Sequence, residues 1–188
     1  MMKKKTIIVI AIIAFILILI GLFVSSYNGL VSAEESANEK FSTIDTMLTR
    51  RADLIPNLVN TVKGYAAHET EIYTELANAR AKLAGSTTAQ ETLDANAQLE
   101  SALGRLLVVV ENYPELKANQ QFIALQDQLE GAENRISTAR VDYNEAVKKY
   151  NVKIRRFPSN LIAGIFGFEK KTMYEAPAGD QNVPSVEF

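Results

Sequence analysis

The stretch FIALQDQLEGAENRISTARVDYNEAVKKY, residues 122–150, decides the fold. Phe122, Leu125, Leu129, Ala132, Ile136, Ala139, Tyr143, Ala146 and Tyr150 recur at alternating spacings of three and four, over about four heptads. A strand would repeat its apolar positions every second residue, so only a helical period gathers these side chains into one stripe. A lone helix leaves such a stripe in water, so partner helices must cover it.

The upstream sequence supplies those partners. Tyr27, Leu30, Ala37, Phe41, Ile44 and Leu48 make one stripe, ahead of the polar cluster Arg50, Arg51 and Asp53. A second stripe runs through Ile55, Leu58, Val62, Tyr65, Ile72, Leu76, Ala79 and Leu83, broken at Glu69. Pro56 there suits a helix start, with Asp53 as its cap. Residues 85–90, GSTTAQ, combine a helix-ending glycine with turn-forming hydroxyls and predict a loop. Asn96, Leu99, Leu103, Leu106 and Val110 form a third stripe, which Pro114 ends or kinks before the fourth helix begins. Short connections favour antiparallel neighbours. The expected fold class is therefore all-α: an N-terminal transmembrane helix, then an antiparallel four-helix bundle with long coiled-coil-like helices.

The transmembrane helix is read from Ile7 to Val24, an uncharged apolar run of about 18 residues against the roughly 20 that span a bilayer. A cleaved signal peptide is the competing reading, with Val31-Ser32-Ala33 as its cleavage site. The run exceeds the usual apolar region of such a peptide, and the site lies well beyond its end, so an uncleaved anchor is favoured. Lys3, Lys4 and Lys5 precede the run while Glu34, Glu35 and Glu39 outnumber Lys40 after it. The positive-inside rule then predicts a single-pass protein of the cytoplasmic membrane with its bundle outside the cytoplasm. Three regions are expected: 1–26 as basic tip and anchor, 27–157 as bundle, and 158–188 as an apolar segment with an irregular tail.

Composition removes whole classes of function. The 188 residues carry a formal net charge of -2, which gives no electrostatic platform for nucleic acid. Cysteine and tryptophan are absent, so disulfides and thiolate chemistry are excluded. The single histidine, His68, stands near Glu69 and Glu71 without a spaced ligand set, and Gly164 and Gly167 lack the lysine of a phosphate loop. No catalytic, metal or cofactor residues are expected.

Two polar or basic groupings are singled out. Glu69 on its apolar seam either meets solvent or forms a polar core pair with Arg135 or Arg140 that fixes helix register. Leu161, Ile162, Ile165, Phe166 and Phe168, flanked by Arg155, Arg156, Lys170 and Lys171, suit contact with a membrane interface. Folding back onto the bundle end is rated slightly ahead of that contact, because Gly164 and Gly167 weaken an isolated helix.

The strings RRADLIPNLVNTVKGYAAHE from Arg50, ENYPELKA from Glu111 and ENRISTARVDYNEAVKKYN from Glu133, with the ending VPSVEF, together resemble the LemA family of bacterial membrane proteins. The resemblance covers nearly the whole chain. It implies a mostly helical protein of the cytoplasmic membrane, associated with the envelope and, in one branch, with magnetosome formation, and it supplies no catalytic residues. Many members carry Trp near the position of Phe41, a departure in this chain. The resulting expectation is a non-enzymatic membrane-anchored scaffold or adaptor of the cell envelope. Its partners would be membrane lipid through the anchor and either an unknown protein or further copies of the chain. The alternative is a protein that binds or shapes the bilayer beside its anchor.

Overall fold

The computed structural model describes residues 4–174, so Lys3 and the VPSVEF ending lie outside the described residues. Those residues form six helices: α1 (Lys4–Lys63), α2 (Thr70–Ala84), α3 (Ala89–Val110), α4 (Pro114–Lys117), α5 (Gln120–Lys153) and α6 (Ser159–Phe166). No strand occurs among the described residues. The chain divides into two compact units, one of Met1–Glu39 with Asn144–Met173, the other of Lys40–Tyr143 with Tyr174–Phe188. α1 and α5 each contribute to both units.

In the second unit, Ile44, Leu48, Ile55, Leu58 and Val62 from α1 are buried, as are Leu76 and Leu83 from α2, Leu99 and Leu106 from α3, and Phe122 and Ile136 from α5. Cross-links give the helix directions. Glu75 pairs with Arg105 and Lys82 with Gln98, so α2 and α3 run antiparallel. Lys40 pairs with Asp142 and Arg51 with Glu133, which makes α1 and α5 antiparallel as well. Asp53 meets Arg80 while Lys63 lies over the Tyr73 ring, giving the same relation between α1 and α2. Phe41 stands beside Tyr143 with ring centroids 5.6 Å apart.

One expected boundary is corrected. Pro56 and Asp53 do not begin a helix; both lie inside α1, which continues to Lys63. A proline within a helix leaves the carbonyl four residues earlier without its donor. Here that carbonyl belongs to Ala52, and Arg80 Nε donates to it at 3.1 Å. Ala52, Ile55 and Leu58 on either side of Pro56 stay buried, so packing favours continuing the helix. The actual break falls at 64–69, where the apolar phase resets: Tyr65 is 40% exposed, and Ala66 and Tyr73 take the buried positions.

The loop before α3 is shorter than expected. Thr88 caps the helix by accepting from the Glu91 amide, and the Glu91 carboxylate accepts from the Thr88 amide in return. Ala89 and Gln90 are therefore helical. After Pro114 the short α4 intervenes before α5 begins, and the Asn119 side chain accepts from the Gln121 and Phe122 amides at that start.

In the first unit, the apolar start of α1 is wholly exposed, with a mean hydropathy of 3.6 over its most apolar window. Ile7 and Val24, its expected limits, are 52% and 48% exposed. That surface, long and apolar enough to cross a bilayer, is built to meet lipid. The proposed cleavage site at Val31-Ser32-Ala33 lies within α1, one residue after fully buried Leu30.

Candidate functional site

Charged side chains from α1, α3 and α5 converge in the second unit. Arg51 precedes Ala52, Glu100 follows Leu99, Glu133 follows Ala132, and Arg140 follows Ala139. Arg51 Nη1 lies 2.7 Å from Glu133 Oε2 and 3.4 Å from Glu100 Oε1. Arg140 Nη2 donates to Glu100 Oε1 at 2.5 Å, and its Nη1 to Glu133 Oε1 at 3.4 Å. Each guanidinium thus meets both carboxylates, and the four charges sum to zero.

Asn96 Nδ2 adds donations to Glu100 Oε1 at 2.8 Å and to the Tyr174 hydroxyl at 3.0 Å. The Tyr174 ring lies under the Arg140 guanidinium at 4.3 Å. Burial opposes ionisation of Glu100, but the hydrogen bonds from Arg140 and Asn96 outweigh it and hold the carboxyl below its ordinary range. Burial likewise opposes the charge on Arg140, and its bond to Glu100 reverses that opposition. Tyr174 is pushed up, first by burial. Such an arrangement fixes helices to one another and holds its charges tightly; it presents no nucleophile.

The expected pairing of Glu69 with Arg135 or Arg140 is not formed. Glu69 is the residue preceding α2, half-buried, while Arg135 is exposed and Arg140 is engaged by Glu100 and Glu133. Of the two readings of Glu69, the register-fixing pair named Arg140 as a partner, but neither reading named Glu100 or Glu133. His68 is exposed, and among the described residues no group of three His, Asp or Glu side chains is placed to hold a metal.

The second expected grouping lies in the first unit, where α6 packs on α1. Ile162 and Ala163 are buried against Leu30, with Tyr27, Ile154 and Phe168 around them. The Phe166 ring stands 4.9 Å from that of Tyr27 and 5.9 Å from that of Phe23. Gly167 ends α6 with a φ of 73°, a left-handed conformation that favours glycine, and the Phe168 amide then donates back to Ala163. Beyond it, the buried Asn151 amide side chain bonds both the carbonyl and the amide of Lys171. The Lys171 ammonium meets Glu34 at 3.3 Å and Asn38 at 3.0 Å.

The list of expected interface residues is therefore divided. Ile162 packs inward, Phe168 is half-buried, and Lys171 is paired; Leu161, Ile165 and Phe166 remain 57%, 71% and 51% exposed, and Arg155, Arg156 and Lys170 are also exposed. The period of α6 puts Leu161 and Ile165 on one side and Ile162 and Phe166 on another.

Comparison with known proteins agrees with this helical, membrane-associated organisation. Residues 40–188 match the LemA family. The chain belongs to that family. It is 31% identical to magnetosome protein MamQ 2 of Paramagnetospirillum magneticum, over 92% of this chain and 72% of that protein. Magnetosome protein MamQ of Magnetospirillum gryphiswaldense is 30% identical with the same coverage, and protein LemA of Metamycoplasma hominis is 25% identical over 80% of this chain and 71% of its own. The family match begins at Lys40, after the apolar span.

Proposed function

We infer that this LemA-family protein is a non-enzymatic scaffold or adaptor, held at the cytoplasmic membrane by one N-terminal span. The observation that carries this reading is the use made of the clustered charges: buried Arg51 and half-buried Glu100, Glu133 and Arg140 neutralise one another across three helices. The chemistry at hand is thus spent on holding helical faces in place. Those faces carry apolar side chains to solvent, among them Val108 at 68% and Val141 at 58% exposure, suited to a protein partner or another copy of the chain. The MamQ relatives are magnetosome proteins. By analogy, this chain would organise proteins at a bacterial membrane.

Crosslinking of the full chain in its native membranes, followed by mass spectrometry, tests the proposal. A reproducible partner or homo-oligomer crosslinked through α3 or α5 is expected. Recovery of abundant bystanders alone would overturn it.

A further inference from the structure

The apolar face of α6 that packing leaves bare has a definite depth relative to the span. Phe166 touches Phe23, in the last turn of the apolar run, and Tyr27 one turn further on. The end of α6 therefore lies at the level where hydrocarbon gives way to headgroups. Leu161 and Ile165 point away from the buried Ile162 and Ala163 and remain exposed at that level. Phe166, itself 51% exposed, joins α6 to the exposed Phe23 of the span.

A basic groove opens beside this face. About 740 Å³ in volume, it is lined by Lys148, Lys149, Lys153 and Arg156, with Phe157 and a single carboxylate, Glu145, among the other side chains. Lys149 pairs with Glu145 at 3.9 Å, which leaves a clear cationic excess. Lys153 extends over Gly29, where an added Cβ would stand 2.5 Å from its ammonium. Gly29 lies five residues past Val24, about 7.5 Å along the helix, which is headgroup depth. The Phe157 ring at the groove's edge is 81% exposed.

We propose that the bare face of α6 and this groove form one binding surface for anionic phospholipid, with Leu161 and Ile165 entering the acyl boundary and the lysines and Arg156 receiving headgroup phosphates. Continuity with the span selects a bilayer over a soluble partner, and the cationic groove selects anionic lipid. Retained lipid and protein crosslinks are separate readouts, so either proposal can fail alone.

The absence of tryptophan makes the test direct, since one substitution introduces the only indole. Full-length Ile165→Trp and Ser36→Trp would be placed in phosphatidylcholine vesicles, with or without phosphatidylglycerol, carrying lipids brominated on the acyl chain. Quenching of the indole at position 165 is expected, while the indole at position 36, about 18 Å beyond Val24, emits as in water. An unquenched indole at position 165 overturns the proposal, whether its emission is water-like or is blue-shifted by a second protein copy. In a second arm, detergent-solubilised protein is offered equal phosphatidylcholine and phosphatidylglycerol, and retained lipid is read by native mass spectrometry. Preference for phosphatidylglycerol is expected, falling roughly tenfold in Lys149→Gln/Arg156→Gln, two exposed positions. Equal retention of the two lipids by the unaltered chain overturns the assignment to anionic lipid.

Discussion

At Pro56 the backbone lacks one amide hydrogen, and Arg80 restores the missing donor to Ala52 from another helix. The two residues should therefore be coupled. Arg80→Ala is expected to destabilise the protein by about 1 to 2 kcal/mol, since it strands a carbonyl and removes a weak exposed pair with Asp53. In a Pro56→Ala background the helix supplies its own donor, and the same substitution should cost only a few tenths of a kcal/mol. Denaturant melts of the four proteins measure this coupling, and equal costs in both backgrounds would break the link. Glu100 gives a pH prediction. Its folded pKa lies below the ordinary 4.5, so its stabilisation is full above that value and is lost as pH falls through the folded value. The melting temperature should drop as pH falls below 4.5, and Glu100→Gln should flatten that limb while lowering the melting temperature at neutral pH.

Among the elements, α5 depends most on its seam. Ile136 is fully buried, and Ile136→Asp would place an unpaired carboxylate among apolar neighbours, a change expected to exceed about 4 kcal/mol. Loss of the cooperative unfolding transition in calorimetry is the expected result. The seam of α5 was legible in the sequence because nine positions kept one alternation, and every one of them is buried or half-buried. The stripe in α3 was legible for the same reason. The helix break was not, because proline reads as a terminator only when the carbonyl it frees has no other donor. Arg80 stands 28 positions from Ala52, and no local pattern reports such a pairing. The charged network was hidden similarly, since its members occupy three helices. What the sequence did hold was the placement of Glu100, Glu133 and Arg140, each one position from a seam residue. The segment after α5 was partly legible: its apolar cluster was found, but only the structure separates Ile162, which packs, from Leu161 and Ile165, which do not.

For the whole molecule, the charge asymmetry about the span predicts that residues beyond Val24 lie outside the cytoplasm. A membrane-impermeant thiol label should react with a cysteine placed at exposed Ser36 in intact cells, and the chain's lack of native cysteine makes that signal unambiguous. Labelling only after the membrane is breached would reverse the orientation. The fold faces a further hazard in the regularity of α5. A repeat of seven is nearly blind to a slide of seven: displaced by one heptad, about 10.5 Å, Leu129, Ile136 and Tyr143 would simply exchange holes along α1. Hydrophobic burial alone distinguishes these alignments weakly. Glu133 and Arg140 are one heptad apart and opposite in sign. The slide that preserves the greasy contacts would bring Arg140 against Arg51 in place of Glu133, setting cation on cation in a half-dry interior. The four charges thus work as the notch on a ruler, making one alignment of an otherwise repetitive helix the only one at which the ends of the scale agree.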